Sequence, residues 1–135
     1  MEHTKKFDAL TKFAEADAVQ LESTEKEWLD QVYEKIETKI QWVSEKSKDK
    51  IPYLTINGTH DDRSDLSKEW RADDGLNWWT NGFWGGILWM LYQASGRERY
   101  AEIARISEKK MDACLDSYYG LHHDVGFMLY CSFGT

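Results

Sequence analysis

Three neighbouring residues have the chemistry to move a proton or hold a ligand: His122, His123 and Asp124 follow a break at Gly120 and stand at the mouth of the helix predicted from Val125 onward. One carboxylate beside two imidazoles suits acid/base work, and the same trio also suggests a metal. No metal is expected, because consecutive residues rarely point at one ion and no HExxH-type spacing accompanies them. Asp124 has a plainer reading too, since any short polar residue at a helix start can accept backbone N–H bonds. Taken alone, the position is a helix cap.

The aromatic residues upstream change that balance. Residues 75–96 carry no charge and hold Trp78, Trp79, Phe83, Trp84, Trp89 and Tyr92. Sugars bind by laying their apolar faces on aromatic rings, although core packing is the simpler account of each tryptophan separately. Trp89, inside the apolar run, is assigned to the core. Trp79 and Phe83 stand at i and i+4, share one helical face, and can border a pocket. A membrane span is set aside: Asn77, Thr80, Asn81, Gln93 and the glycines at 75, 82, 85 and 86 interrupt the stretch, whose apolar core runs only from Phe83 to Tyr92.

The elements that must position these groups are helical. Phe7, Leu10, Phe13 and Leu21 are spaced for a short N-terminal helix. Thr24 with Glu27 makes a capping box, and Trp28, Val32, Ile36, Ile40 and Val43 then recur every three or four residues as the apolar face of a helix of roughly 20 residues. Its other side, with Glu25, Lys26, Asp30, Glu34, Lys35, Glu37 and Lys39, reads as solvated. From Ser44 to Asp74, the single proline Pro52, several charges and Asn57-Gly58 describe a long connection. A buried helix is predicted from about Thr80 to Ser95, ended by Gly96 in the left-handed conformation, with Gly82, Gly85 and Gly86 allowing close backbone packing. An amphipathic helix follows from about Glu98 to Tyr118, burying Tyr100, Ile103, Ala104, Met111, Cys114 and Leu115. The class is therefore all-α. A helix apolar all round, a tight turn and an amphipathic return helix form an inner-outer hairpin of the kind repeated around toroidal barrels. In a small bundle such a helix would stay half exposed.

Composition narrows the partners. A net charge of -7 argues against nucleic acid, and a mean hydropathy of -0.67 is that of an ordinary globular chain. Nothing at the N-terminus resembles a secretory signal, so a cytoplasmic location is the default, and Asn57-Gly58-Thr59 is then a turn and not a glycosylation site. Cys114 and Cys131, without metal spacing, are expected to be reduced core thiols.

With these residues in view, a resemblance stands out. Trp79-Thr80-Asn81-Gly82-Phe83-Trp84-Gly85-Gly86-Ile87-Leu88-Trp89, then Tyr92 and Ser95-Gly96, then His123-Asp124-Val125-Gly126-Phe127 resemble the beginning of unsaturated glucuronyl hydrolases, glycoside hydrolase family 88. The likeness covers about residues 70–133. It implies an (α/α)6 toroidal barrel of the six-hairpin glycosidase type, of which residues 1–135 would be one incomplete domain: N-terminal helices and a connection over 1–74, then a hairpin and the start of the next inner helix over 75–135. The implied reaction is hydration of the C4=C5 bond of a terminal 4,5-unsaturated uronic acid on a lyase-generated oligosaccharide of the glycosaminoglycan type. No cofactor is implied.

Within that family two aspartates act, and the resemblance places one of them at Asp124, with His123 shaping the pocket and Trp79 and Phe83 forming its aromatic wall. The acid/base partner is expected beyond Thr135, so the chain alone is expected to be inactive and to self-associate through its exposed apolar helix. Two other readings exist. One is a galacturonyl, pectin-type hydrolase of the same fold, against which the adjacent His123-Asp124 counts. The other is a non-catalytic remnant or a helical interaction module.

Overall fold

The computed structural model describes residues 21–65, 75–118 and 120–132. The short helix expected over the first 20 residues lies outside that set. Helix α1 spans Ser23–Lys46 and opens with the Glu22 N–H donating to Glu25 Oε2 at 2.8 Å, so the capping box sits two residues before the predicted Thr24–Glu27 pair. The extra turn is available because a glutamate side chain reaches back to its own helix start as well as a threonine does, and Glu25 also complements the positive end of the helix.

The face that α1 buries also differs from the predicted one. Trp28 and Ile36 are exposed, whereas Val43 and Ser44 are buried and Tyr33 and Ile40 pack against the core. Glu37, expected to be solvated, is buried beside Arg97, whose Nε lies 3.3 Å from its carboxylate. The cause is the neighbour: the turn at Gly96 and Arg97 abuts α1 and draws the helix round until a carboxylate meets the guanidinium. Opposite charge within salt-bridge distance offsets the desolvation that a lone buried glutamate would suffer. Arg99 and Glu45 form a second ion pair along the same contact.

The long connection contains a minimal hairpin, with strand β1 (Thr55–Ile56) antiparallel to β2 (Thr59–His60) in the register Thr55↔His60 and Ile56↔Thr59. Asn57 and Gly58 form the turn at φ 51° and 74°, the two successive left-handed residues that a tight hairpin needs. Polar bonds hold the rest of the segment. Asp62 Oδ1 accepts the Ile51 and Ser64 N–H groups at 3.0 Å each and the Ser64 hydroxyl at 2.7 Å. Asp61 Oδ1 accepts the N–H groups of Tyr53 and Leu54. Lys110 then ties the segment down by donating to the Asp49 carbonyl and the Ser64 hydroxyl.

A 3-10 turn at Trp79–Asn81 leads into α2 (Gly82–Ser95), which stops at Gly96 with φ 69°. Helix α3 (Glu98–Ser117) returns against it, and its last carbonyls are capped through Tyr118, itself left-handed at φ 53°. The helical hairpin is as predicted. Its core joins Trp84, Leu88 and Leu91 of α2 to Tyr100, Ile103 and Ala104 of α3, with Val43 of α1 closing the third side. Each large apolar side chain removed from water here stabilises by about 1.5–3 kcal/mol. The other side of α2 stays uncovered by the described residues: Phe83, Ile87 and Met90, at helical spacing, are 36%, 43% and 56% exposed. The short helix α4 (Val125–Tyr130) ends the described chain. The described residues thus give a mostly helical structure with one small ribbon, and among them no helix is long and apolar enough to cross a membrane.

Candidate active site

Asp124 stands where α3 has ended and α4 begins, and three packing devices fix that place. A second core of Ile51, Leu76, Met111, Cys114 and Met128 lies beneath it, joining the connection, the entry to α2, α3 and α4. Asn77 Nδ2 donates to the Gly120 carbonyl at 3.0 Å, and Gly120, at φ 60°, leaves no room for a Cβ against that same amide. The glycines of α2 supply the third. A Cβ on Gly82 would collide with the Met128 carbonyl, and one on Gly86 with the Cys131 carbonyl, so α4 is seated directly on the α2 backbone. Asn81, fully buried, completes the arrangement by donating to the carbonyls of Gly75 and Leu76 at 3.0 and 2.8 Å, which holds the start of α2 to the residues before it.

Asp124 occupies the N-cap position of α4, yet its side chain makes no capping bond. The carboxylate turns instead toward the imidazoles: Oδ2 lies 3.4 Å from His123 Nε2 and 3.8 Å from His122 Nδ1, and Asp124 remains 29% exposed. His122 is oriented by accepting the Asp124 N–H at Nδ1, 3.2 Å away, while His123 is 88% exposed. The plain reading of Asp124 as a helix cap therefore finds no bond to support it.

His122, His123 and Asp124 each present one ligand atom, all within 4.8 Å of one another, so adjacent residues do converge here despite the expectation that they would not. The chain turns sharply between Gly120 and Val125, which swings successive side chains to one side. Three donors, one of them on an almost fully exposed ring, fall short of the four that a closed structural zinc site uses. The trio contains a single carboxylate.

The rings of Trp79 and Phe83 come together as their i, i+4 spacing suggests. Their rings meet edge to face at 5.6 Å, and Trp79 also meets Phe127 at 5.7 Å. Phe127 links the two motifs, because it follows Asp124 by one helical turn and carries α4's contact to Trp79. It was not among the sequence candidates, although its i+3 spacing from Asp124 was the available signal. The band continues from Trp79 to Trp78 at 6.2 Å and on to Tyr53 at 6.0 Å, whose ring is covered by the buried Arg63 guanidinium at 4.2 Å. Trp89, assigned to the core, packs against it from a partly buried position and donates its indole N–H to Glu108 Oε1 at 2.6 Å.

Comparison with known proteins finds relatives for part of the chain. No family profile and no solved structure matches it. An unsaturated glucuronyl hydrolase of Bacillus sp. (strain GL1) is 41% identical over 66 residues, which is 48% of this chain and 17% of that protein. Unsaturated chondroitin disaccharide hydrolases of Streptococcus pyogenes serotype M1 and Streptococcus pneumoniae (strain ATCC BAA-255 / R6) are 35% and 37% identical over 51 residues, or 37% of this chain and 13% of theirs. The chain spans well under a fifth of the length of these relatives. Over the matched stretch, this chain is similar to hydrolases named for unsaturated glucuronyl and chondroitin saccharides.

Proposed function

We propose that this chain is one segment of a glycoside hydrolase that releases a terminal 4,5-unsaturated uronic acid from lyase-generated oligosaccharides by hydrating the C4=C5 bond. The observation that carries the proposal is that the Asp124 carboxylate, at a helix start, is spent on no capping bond and faces two imidazoles beside an aromatic wall. The similarity to hydrolases of unsaturated saccharides supports the substrate class.

The bond to be hydrated is an enol ether. A proton delivered to C4 leaves a cation at C5 that the ring oxygen stabilises, water adds there, and the hemiketal opens to release the rest of the saccharide. This needs one carboxylic acid to give a proton and take another from water. In our reading Asp124 assists: it holds the sugar and, as a like charge, tunes a second carboxylate. His123 shapes the pocket, and Trp79 with Phe83 flanks the ring. The cluster at Asp124 holds one carboxylate, so the acid/base partner is assigned to a further part of an (α/α)6 barrel that this chain would share in building. On that reading the 135 residues alone are inactive. The assay is loss of the ultraviolet absorbance of the unsaturated bond in a lyase-made disaccharide; full activity of the isolated chain would defeat the assignment of the partner elsewhere. The uncovered Phe83, Ile87 and Met90 stripe supports self-association of the isolated chain, and a clean monomer at micromolar concentration by sedimentation would count against it.

A further inference from the structure

The turn before α4 brings three metal-ligating side chains to one place. Asp124 Oδ2 stands 3.4 Å from His123 Nε2 and 3.8 Å from His122 Nδ1, and the three residues offer donor atoms that all lie within 4.8 Å of one another. An ion held tetrahedrally by bonds of about 2.1 Å keeps its ligands about 3.4 Å apart, so the two separations from the carboxylate already suit a single ion. Rotation of the His123 ring, whose side chain is 88% exposed, adjusts the third.

The donors are also in a form that a metal can use. His122 Nδ1 accepts the Asp124 N–H at 3.2 Å, so that nitrogen carries no proton and presents a lone pair on the Asp124 side. Asp124 is partly exposed, and its N–H can turn to water when the lone pair passes to an ion. The Asp124 carboxylate caps no helix. The backbone beneath is already fixed, by the Asn77 bond to Gly120 and by the seating of α4 on Gly82, so little chain has to be ordered on binding. Two imidazoles with one carboxylate suit zinc, copper or nickel, whereas magnesium and calcium take oxygen ligands. Three protein donors beside solvent leave a position for water, which is the open arrangement and not the closed structural one.

We propose that His122, His123 and Asp124 form an open binding site for a divalent transition ion of the zinc type, completed by water. The ion takes no part in the hydration reaction. By occupying the Asp124 carboxylate it competes with the sugar, so a bound ion switches the site off. That competition rests on the function proposed above, whereas the ion site rests on the three donors alone, and the two fail separately.

The test is calorimetric titration of the 135-residue protein with zinc chloride and, separately, magnesium chloride at neutral pH, with the histidine ring resonances followed by NMR. Zinc is expected to bind once per chain with a roughly micromolar dissociation constant and to move the His122 and His123 signals together. Magnesium is expected to bind about tenfold more weakly or not at all. His123→Ala, at an exposed position where folding is not at stake, is expected to weaken zinc by about tenfold or more, and Asp124→Asn to do the same because an amide oxygen carries no charge. No zinc binding, equal affinity for magnesium, unchanged affinity in His123→Ala, or movement of the His60 signals in place of those of His122 and His123 would each overturn the site. In the larger enzyme, zinc is expected to suppress turnover of an unsaturated disaccharide and a chelator to restore it. Zinc that saturates the site yet leaves turnover intact would overturn the competition, and with it the role of Asp124, while the ion site stands.

Discussion

The α2–α3 hairpin and the segment that carries Asp124 are neighbours built on opposite principles. The hairpin is held by apolar side chains meeting in mid-core, such as Leu88, Tyr100 and Ala104, all at or near zero exposure. The Asp124 segment buries a single large residue of α4, Met128, and is otherwise placed by backbone lying on glycine and by an asparagine bond to Gly120. A side-chain core tolerates adjustment because rotamers can shift, whereas a carbonyl resting on a glycine cannot move without moving its whole strand of chain. The division leaves the polar end of the segment, with its carboxylate and two imidazoles, at least partly open to solvent.

The sharpest way to break this comparison is Asp124→Asn in a longer protein that carries this segment. Turnover of an unsaturated disaccharide, followed by ultraviolet absorbance, is expected to fall by roughly 10²-fold or more, because the acid/base carboxylate that Asp124 tunes loses its neighbouring charge. Stability should change by less than about 1 kcal/mol, since no capping bond is lost. The reverse pattern, intact turnover with a stability loss near that of a missing cap, would return Asp124 to a structural role.

The next largest effect lies in the glycines. Alanine exceeds glycine in helix propensity by up to about 1 kcal/mol, so three substitutions in α2 should all stabilise if packing were indifferent. Packing decides otherwise. Gly82→Ala and Gly86→Ala force a methyl into the carbonyls of Met128 and Cys131 and are expected to cost about 1–3 kcal/mol or more in denaturant unfolding. Gly85→Ala meets only the Ser132 Cβ at 3.3 Å and the Ser107 hydroxyl at 3.9 Å, and should come out near neutral. Equal losses at all three positions would mean that the glycines serve the hairpin and not the seating of α4.

Which of these features a sequence discloses follows from their range. The limits of α2 and α3 were legible because Gly96 and the 3.6-residue spacing of Tyr100, Ile103 and Ala104 act within a few residues. The face of α1 was not, because it is set by Arg97, 60 positions beyond Glu37 in sequence, and a buried glutamate looks like a solvated one until its partner is placed. Trp79 and Phe83 were found through local spacing, whereas Phe127 joins them only through the folding back of α4. The cluster of rings was thus half visible. The cavity between α1 and the β1–β2 hairpin, lined by Lys39 and His60 among others, was invisible for the same reason, since it takes the return of β2 onto α1 to turn a solvated lysine into its wall.

The two cysteines sample the two regions directly. Cys114 lies in the core beneath α3, where burial pushes its thiol up to about 11. Cys131, at the end of α4, is only partly buried. At pH 8 roughly one Cys114 in a thousand would be thiolate, and only the thiolate reacts. Alkylation followed by mass spectrometry is expected to label Cys131 first and Cys114 only as the protein unfolds. Simultaneous labelling would mean that the hairpin core opens as readily as the Asp124 segment.

The smallest effect concerns a third way of holding chain, the polar tie around Asp62. Burial alone would raise its pKa, but the N–H of Ile51, the Ser64 hydroxyl and N–H, and the charge of Lys110 together outweigh burial and hold it below the ordinary carboxylate value. A carboxylate depressed on folding contributes stability that is complete above its unfolded pKa, near 3.9, and is lost as pH falls through the lower folded value. The Asp62 window therefore lies on the acid side of about pH 4, and the contribution of Asp62 itself should not change between about pH 5 and pH 8. Following the Ile51 and Ser64 amide resonances through an acid titration should show a common midpoint below about 3.9, absent in Asp62→Asn. The change is expected to stay confined to residues 47–65, because the apolar hairpin next to them contains no titrating bond of this kind in its core. A midpoint at or above about 3.9 would show that burial outweighs those bonds and that the tie does not stabilise the connection.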